Sequence, residues 1–491
     1  MRSDESKKDP EIATLLGMTQ KERTANPPGN IKPLTKLLFH VGVVSATVAF
    51  SISPSALAKN KFNCSADIEK LEMQIPATVP ISIKGIDTKR DYRAFGKPKE
   101  LTITAKIADK QEAFKVQRFG ARTQPSKGTM IFLCGGPGPS CVTEGPPPFS
   151  PPDTEVVVFD YLGIGQNRHF TAKPEKISIE SQADAVVGIV KQLKLKDYII
   201  VGSSFGTAVG TVATSKITSA QDTSIAKPKM LVLDGVIGKK GRYEPGFKKV
   251  ADRAWQLLKP KERTQFKQIY RAKKQMGPGG TDEINRYVID SFMGGPKETV
   301  KTFREILRVE SGGEPTLPPD EGGGSRRKPS LEEDYSAGRI MRAAGCQVKA
   351  VSDSKKPLKM FDDVMSFSEA APGKPHICEC PLVARDFDSK NFQVRDVPIL
   401  YINGTHDGPT PLEGSDYHFN GQESTGQKEK LTVNDAGHAL LYRELRQCGS
   451  SLLTRAFDGD LAGIKANEQL WVDGKCLKKP ANGASQTFTQ K

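Results

Sequence analysis

The sequence predicts an α/β protein with a mostly parallel central sheet, helices on both faces of the sheet and a largely helical insertion after the sixth strand. Three observations lead to this prediction. Short apolar runs that end in Gly or Asp alternate with segments of helical spacing, this alternation stops near Gly235, and it resumes at Val397. Short, continuous apolar runs are typical of strands that are buried on both faces, as in parallel sheets.

The first two predicted strands differ from the later ones. Residues 101–108 and 113–120 alternate apolar and polar side chains, which is typical of half-buried antiparallel strands. The runs predicted as fully buried strands are 130–134, 155–160, 198–202, 230–235, 397–407 and 429–438. Between two of them, residues 181–195 have helical spacing, and Ser181 is a suitable N-cap.

The interruption after Gly235 divides the chain into segments. Residues from about 240 to 390 are rich in apolar positions at three- and four-residue steps, with one Gly/Pro-rich loop. No internal repeat is visible. The predicted organisation is a signal peptide with a polar leader over 1–58, a core over 59–238, a helical cap insertion over 239–394 and the second part of the core over 395–491.

Composition and charge exclude several classes of protein. The chain has 491 residues with 37% hydrophobic content, which is enough for a buried core, and a formal net charge of +15. No nucleic-acid-binding module is present, and Lys and Arg do not cluster with interleaved aromatic residues, so no nucleic-acid partner is predicted. Electrostatic attraction to an anionic surface stays open. The oligomeric state is not predicted.

The N-terminal region resembles a secretion signal in its physical design. Lys32 and Lys36 precede an apolar run over 37–50, and the small-x-small pattern ends at Ala58. This run is shorter than the roughly 20 residues that a membrane span needs. We therefore expect export to the periplasm or the cell exterior, with a mature start near Lys59 and no stable membrane span; an uncleaved anchor is the alternative.

All eight cysteines lie after the predicted cleavage point. An even number of cysteines in an exported chain favours disulfides, but eight cysteines allow about 105 pairings, so no pairing is predicted. No cysteine spacing is accompanied by histidine in a zinc-site pattern. Cys378 and Cys380 are therefore expected to be half-cystines, and no metal is predicted.

One Gly-x-Ser-x-Gly segment, Gly202 to Gly206, contains the candidate nucleophile Ser204. It directly follows a predicted buried strand and precedes a plausible helix of small residues. This strand–turn–helix context is the one that a nucleophile elbow needs, because the sharp turn leaves the hydroxyl exposed at the strand end. Glycines two residues before and after the serine relieve crowding of the backbone in that turn.

A serine hydroxyl needs a base, and the base needs an orienting carboxylate. Of the six histidines, His438 lies just past the last predicted strand, where a loop can carry it over the sheet. Asp407 lies at the end of the preceding strand, and its alternative role is to cap the following turn. The order Ser204, Asp407, His438 is the one that α/β-hydrolases have.

The predicted oxyanion donors are backbone amides. The Gly/Pro-rich segment 132–140 overlaps the end of the third strand-like run, and the N–H of Gly136 is the preferred donor, with Gly135 second. The N–H of Phe205, directly after the serine, is the other predicted donor. Loss of one such donor typically lowers turnover by about 10²–10³.

Five segments, in order and spacing, resemble the proline iminopeptidase and tripeptidyl aminopeptidase group of α/β-hydrolases. The segments are CGGPGPS, VVVFDYLGIGQNR, VGSSFGT, LVLDGV and INGTHDGPTP with the later AGH. The resemblance is greatest to the secreted tripeptidyl-aminopeptidase-like branch, and it spans roughly 95–240 and 395–450. Cys134 stands where that group has His, and Leu162 and Asn167 stand where it has Arg and Ser.

The resemblance implies a serine peptidase that releases single residues or tripeptides from a free peptide N-terminus through an acyl-enzyme, without a cofactor. A carboxylate would then read the substrate amine, and the available acidic residues are Glu144, Glu244, Glu332, Glu333 and Asp334. Two alternatives stay open. A secreted carboxylesterase would share the same triad, and an exported binding protein would keep the fold without catalysis.

Overall fold

The computed structural model describes ten stretches of the chain, and all of them fall within one compact unit, Ser82–Lys491. The described residues are 95–137, 140–172, 177–220, 224–241, 244–277, 279–312, 344–348, 359–366, 386–423 and 426–476. The predicted signal over 1–58 and the cysteines at 378 and 380 lie outside the described residues.

An eight-stranded sheet forms the centre of this unit. Its strands lie in the spatial order β1-β2-β4-β3-β5-β6-β9-β10. The bounds are β1 Lys99–Ile107, β2 Lys110–Phe119, β3 Gly128–Leu133, β4 Thr154–Val158, β5 Tyr198–Ser203, β6 Leu231–Asp234, β9 Ile399–Gly404 and β10 Lys428–Val433. A separate two-stranded hairpin consists of β7 Lys359–Met360 and β8 Met365–Ser366.

The pairing of the strands confirms the predicted α/β-hydrolase fold. β1 and β2 form an antiparallel hairpin, β2 meets β4 in antiparallel sense, and all further pairs, from β4 across to β10, are parallel. β5 is buried at all six positions and β6 at all four, as a sheet covered on both faces requires. The carboxyl ends of β5, β6 and β9 therefore meet at one edge of the sheet.

Helices connect and cover these strands. Their bounds are α1 Cys141–Glu144, α2 Ile179–Gln192, α3 Phe205–Ser219, α4 Glu244–Leu257, α5 Pro260–Gln275, α6 Asp282–Ser291, α7 Gly295–Glu310, α8 Cys346–Val348, α9 Leu412–Gly421, α10 Gly449–Phe457, α11 Leu461–Ala466 and α12 Glu468–Val472. Short 3₁₀ segments lie at Gly165–Ala172, Phe292–Gly294, Ser389–Asn391 and Leu440–Tyr442.

The start of α2 differs from the prediction. Ser178, rather than Ser181, is the N-cap, and its side chain accepts a hydrogen bond from the Ser181 amide. Ile179, which lies between the two serines, is fully buried. The helix therefore begins three residues earlier than a cap at Ser181 predicts, because burial of Ile179 stabilises one more turn.

The helices between β6 and β9 have an apolar core of their own. Trp255 of α4, Phe266 of α5 and Phe303 of α7 pack with Phe361, which lies between β7 and β8. The predicted helical insertion thus follows the sixth strand, as expected. None of the helices in the described part of the chain is both long and apolar enough to cross a bilayer.

Two disulfides join described cysteines. Cys134, directly after β3, pairs with Cys141 at the start of α1, and Cys448 pairs with Cys476 near the end of the described chain. The first of these closes the loop that contains Gly136. The second ties residues after α12 to the start of α10.

Candidate active site

Ser204 occupies a strained turn between β5 and α3. Its backbone lies at φ 53° and ψ −117°, a conformation that costs a non-glycine residue about 1–3 kcal/mol and is typical of functional sites. The Ser204 N–H donates to the Asp234 carbonyl at 2.8 Å, and the Ser204 carbonyl accepts from the Thr207 amide at 2.9 Å. These bonds fix the turn and leave the side chain partly exposed at the strand end.

The glycines that flank Ser204 allow this turn to close. A Cβ on Gly202 would lie 2.7 Å from the carbonyl carbon of Gly206 and 2.9 Å from the Thr207 nitrogen. A Cβ on Gly206 would lie 2.7 Å from the carbonyl carbon of Leu133. The structure therefore agrees with the expectation that both positions need the smallest residue, since real Cβ atoms do not approach so closely.

Asp407 and His438 form a buried hydrogen-bonded pair. The Nδ1 of His438 lies 2.8 Å from Oδ2 and 3.0 Å from Oδ1 of Asp407, and the two residues are only 3% and 2% exposed. Burial opposes a charge on the imidazole, but the Asp407 carboxylate outweighs burial, and the pKa of His438 is raised. The carboxylate thus orients the ring and stabilises its protonated form.

Thr410 completes the surroundings of this carboxylate. Its hydroxyl donates to Asp407 Oδ2 at 2.7 Å, and its amide donates to Asp407 Oδ1 at 2.8 Å. The same hydroxyl oxygen lies 3.0 Å from His438 Nδ1. Asp407 therefore both caps its own turn and contacts the histidine, so the two roles weighed from the sequence are compatible.

The turn after β6 borders both Ser204 and His438. The Asp234 carbonyl accepts the Ser204 amide, and a Cβ on the next residue, Gly235, would lie 2.8 Å from Cε1 of His438. Within the described residues, the Ser204 hydroxyl makes no hydrogen bond. The structure therefore brings the serine and the histidine to the same edge of the sheet, without a direct hydrogen bond between them.

The two predicted oxyanion donors lie on segments that pack together beside Ser204. A Cβ on Gly135 would lie 3.2 Å from the Ser204 Cβ, and Gly136 follows with φ +133°, which favours glycine. The Tyr161 hydroxyl donates to the Cys134 carbonyl at 2.8 Å, and its ring packs edge-on against Phe205 with 5.2 Å between ring centroids. Tyr161 thus links the two segments.

The loop that carries Gly136 is fixed at its far end as well. The fully buried Asp160 accepts the Ser140 hydroxyl at 2.7 Å and the Val142 amide at 3.0 Å on the same carboxylate oxygen. Burial raises the pKa of Asp160, against the pull of these hydrogen bonds. The Cys134–Cys141 disulfide and this carboxylate therefore hold the loop between Cys134 and Cys141 at its two ends and fix the start of α1.

The insertion contacts the histidine loop directly. The His438 amide donates to the Met293 carbonyl at 2.8 Å, in the 3₁₀ segment between α6 and α7. A Cβ on Gly295 would lie 2.6 Å from the Gly437 nitrogen, so the two backbones touch. The position of His438 therefore depends on the insertion as well as on the core.

The other described histidines have different surroundings. His418 is fully buried; its Nε2 and Nδ1 each lie 2.9 Å from a hydroxyl, those of Thr211 and Tyr401 respectively, and burial lowers its pKa to about 3. His406 is partly buried, which lowers its pKa, and lies 3.7 Å from Asp435. The described residues contain no group of three or more His, Cys, Asp or Glu that could hold a metal ion.

Of the five acidic residues proposed to read an amine, the structure describes one side chain. Glu332, Glu333 and Asp334 lie outside the described residues, and the side chain of Glu144 is also outside them. Glu244 begins α4, and its Oε2 is buried without a hydrogen-bond partner among the described residues.

The surroundings of Glu244 lie close to the loop that carries Asp407. Pro245 and Gly246, the next two residues of α4, line a cavity of about 290 Å³ together with Thr410 and Pro411. A Cβ on Gly246 would lie 2.7 Å from the Pro411 side chain. The first turn of α4 is therefore packed on the loop that follows Asp407.

Sequence reasoning missed three residues that contact the predicted site. Thr410 holds Asp407, Asp234 holds the backbone on both sides of the site, and Cys141 closes the loop of Gly136. Thr410 is within reach of the Asp407 turn in the sequence, three residues on, which is the spacing of a turn hydrogen bond. The contacts of Asp234 join residues that are far apart in the sequence. Cys141 is one of eight cysteines, so its partner could not be chosen from spacing.

Comparisons with known proteins give distant likenesses only. No family model matches the chain, and no curated protein does. Among solved structures, it is similar to a proline iminopeptidase of Mycobacterium smegmatis, with 14% identity and a TM-score of 0.37 over 74% of this chain and 100% of the other.

Two further solved structures to which this chain is similar have different named activities. A thermophilic esterase of Thermogutta terrifontis has 12% identity and a TM-score of 0.36, covering 73% of this chain and 99% of its own. A bromoperoxidase of Bacillus anthracis has 15% identity and a TM-score of 0.34, covering 73% and 100%. The strand order and the serine turn of this chain, rather than these likenesses, define its fold.

Proposed function

We propose that this chain is a serine hydrolase in which Ser204 is the nucleophile, His438 the base and Asp407 the residue that orients the base. The observation that supports this most is the buried Asp407–His438 pair, with 2.8 Å between Oδ2 and Nδ1, at the sheet edge where Ser204 occupies its strained turn. Such a turn and such a pair each cost free energy, and together they supply an activated hydroxyl.

The proposed reaction proceeds through an acyl-enzyme. Ser204 attacks the substrate carbonyl carbon while His438 takes the hydroxyl proton, and the carboxylate of Asp407 stabilises the imidazolium. The amides of Gly136 and Phe205 hold the oxyanion. His438 then gives the proton to the leaving group, and water, activated by the same imidazole, releases the acyl part and regenerates the serine.

The substrate that we propose is a peptide with a free N-terminus, so that the enzyme is an aminopeptidase. Two observations support this choice. The five sequence segments resemble the proline iminopeptidase and tripeptidyl aminopeptidase group. The Oε2 of Glu244, buried beside the Asp407 loop and without a hydrogen-bond partner among the described residues, suits an ammonium group. We therefore propose Glu244 as the residue that reads the substrate amine.

We further propose that the enzyme is exported. The predicted signal over 1–58 supports this, and so do the disulfides Cys134–Cys141 and Cys448–Cys476, because disulfides persist mainly in oxidising compartments. No cofactor is part of the proposed mechanism.

The test of the reaction compares substrate classes on purified protein. Wild type is expected to hydrolyse aminoacyl- or tripeptidyl-arylamides faster than their N-acetylated forms, and Ser204→Ala is expected to abolish the activity. Hydrolysis of short acyl esters without any arylamide activity would instead establish the carboxylesterase alternative. Absence of both activities, together with no labelling of Ser204 by a fluorophosphonate, would establish the non-catalytic alternative.

The test of Glu244 uses the same two substrate classes. Glu244→Gln is expected to raise KM for the free-amine peptide strongly and to leave acyl ester hydrolysis nearly unchanged. Glu413→Gln is the matched control, because Glu413 also lies in the first turn of a helix beside this loop but pairs with Lys249 at the surface. Equal effects of the two variants on peptide hydrolysis would rule out Glu244 as the amine reader.

A further inference from the structure

Asp234, the last residue of β6, contacts the serine turn through its backbone and the histidine loop through its side chain. Its backbone carbonyl accepts the amide of Ser204 at 2.8 Å. Its side chain accepts the amides of Leu440 and Leu441, at 3.0 Å on Oδ1 and 3.1 Å on Oδ2. One residue of the sheet therefore bonds to the serine turn and to the chain that follows His438.

The histidine loop has an unusual backbone at this point. Ala439, directly after His438, has a left-handed conformation with φ 58°, and the 3₁₀ segment Leu440–Tyr442 follows at once. The first amides of such a segment have no partner within it. The Asp234 carboxylate supplies acceptors for two of them, so it fixes the direction in which the chain leaves His438.

Burial of the Asp234 carboxylate costs free energy, so packing alone does not account for an aspartate at this position. Asp234 is fully buried at 0% exposure, and burial raises its pKa to about 7, although the Leu441 amide, His438 and the Leu440 amide all pull the pKa down. An Asn of the same shape could not accept both amides, because one of its two terminal atoms is a donor. The two acceptor bonds therefore favour a carboxylate at this position, and its ionised form accepts them most strongly.

We infer that Asp234 is a positioning residue of the catalytic site, which holds the Ser204 turn and the His438 loop in one register and contributes negative charge beside His438. The inference rests on the proposed serine hydrolase mechanism. Asp407 orients the ring through Nδ1, whereas Asp234 acts on the backbone that carries the ring. No part of the proposed proton transfer passes through Asp234.

Charged side chains shift the pKa values of both His438 and Asp234. His438 is influenced by Asp407 and Asp234, which raise its pKa, and by Arg443, which lowers it. Asp234 is influenced in turn by His438 and Asp407. Since only unprotonated His438 accepts the serine proton, removal of the Asp234 charge favours the neutral ring and moves the acid limb of the pH profile to lower pH.

The experiment measures the rate at which a fluorophosphonate labels Ser204 in the full chain, as a function of pH, for wild type, Asp234→Asn and Asp160→Asn. Asp160 is the control because it is a similarly buried aspartate that accepts backbone amides but is not among the charged groups with the largest effect on the pKa of His438. Asp234→Asn is expected to lower the plateau rate by about 10- to 100-fold, as displacement of a catalytic group does. It is also expected to move the acid limb to lower pH, whereas Asp160→Asn leaves the limb in place.

The outcomes separate this inference from the proposed function. Wild type that is not labelled at Ser204 overturns both. Wild type that is labelled, with an Asp234→Asn variant whose plateau rate is unchanged or whose acid limb stays in place, overturns the role of Asp234 alone. A shift of the acid limb in Asp160→Asn as large as in Asp234→Asn overturns it as well, because any buried aspartate would then have that effect.

A second measurement applies if Asp234→Asn does not fold. In wild type, the hydrogen-exchange protection factors of the Leu440 and Leu441 amides are expected to rise with pH over the range in which labelling becomes faster, because the ionised carboxylate accepts them more strongly. Protection factors that stay constant across that range contradict the inference.

Discussion

Substitution of Gly235 by alanine is a direct test of how tightly the turn after β6 holds the histidine. A Cβ at this position would lie 2.8 Å from Cε1 and 2.9 Å from Nδ1 of His438. Carbon atoms in ordinary contact stay about 3.5 Å or more apart, so the imidazole must retreat by roughly 0.7 Å. A displacement of about 1 Å can lower a rate by about 10²-fold, and we expect a loss of at least about 10-fold here.

The free energy of unfolding changes for two reasons. Gly235 has φ +71°, and alanine in this left-handed region costs about 1–2 kcal/mol. Overpacking against the His438 ring and the Thr410 hydroxyl, 3.1 Å from the added Cβ, costs about 1–3 kcal/mol more. Gly235→Ala should therefore lose about 2–5 kcal/mol of stability in total.

Gly459→Ala is the matched control for this variant. Gly459 has nearly the same backbone, φ +69°, but a Cβ there would lie within 4 Å of no atom in the described part of the chain. Gly459→Ala should therefore lose only the stability that alanine costs in the left-handed region, about 1–2 kcal/mol, and it should be labelled at the wild-type rate. The measurements are chemical denaturation and the rate of fluorophosphonate labelling at Ser204. If Gly235→Ala is labelled as fast as Gly459→Ala, the proposed arrangement of turn and imidazole is wrong.

Three further predictions concern groups around the site and in the core. Thr410→Val removes the hydroxyl that donates to the buried Asp407 carboxylate, and it should lower kcat about 10-fold and the free energy of unfolding by about 1.5–3 kcal/mol. Thr410→Ser keeps the hydroxyl and should retain most of the kcat and most of the stability. Equal losses in the two variants would refute the role of the hydroxyl. Replacement of Cys134 and Cys141 by serine should lower kcat and leave KM nearly unchanged, because the loop that carries the proposed oxyanion donor Gly136 then loses its disulfide; the remaining activity should be insensitive to thiols. Removal of the second described disulfide should lower stability and leave kcat unchanged. Burial lowers the pKa of His418 to about 3, so the unfolded state binds the extra proton below pH 6.5 and the contribution of His418 to stability falls as the pH falls. Between pH 7 and pH 5 the stability of wild type relative to His418→Gln should fall by about 2 kcal/mol, as measured by denaturation of both proteins at each pH; a difference that stays constant with pH would refute this.

Much of this site could be predicted from the sequence because its signals are local. The serine turn needs small residues at fixed offsets, so Gly202 and Gly206, placed between a buried strand and a helix, predict the turn at Ser204. Asp407 follows the buried strand β9 and His438 follows the edge strand β10, and the carboxyl ends of these parallel strands share one edge of the sheet. The same reasoning predicted the insertion, because the strand pattern stops after β6 and resumes at β9.

What could not be predicted depends on contacts between distant parts of the chain. Asp234 ends an apolar run and has the pattern of an ordinary strand end, and only the fold shows that Leu440 lies over it. Eight cysteines allow about 105 complete sets of pairs, and spacing could not single out those that contain Cys134–Cys141. The contact of Met293 with His438 depends on how an insertion of unknown shape packs on the core.

The central claim is that Ser204 is activated by the His438–Asp407 pair, and mass-spectrometric mapping of the fluorophosphonate adduct tests it most directly. The account predicts that the modified peptide of wild type carries the label on Ser204, and that labelling of His438→Ala at the same pH is slower by several orders of magnitude. A label on any other residue, or a His438→Ala variant that is labelled as fast as wild type, would contradict the account.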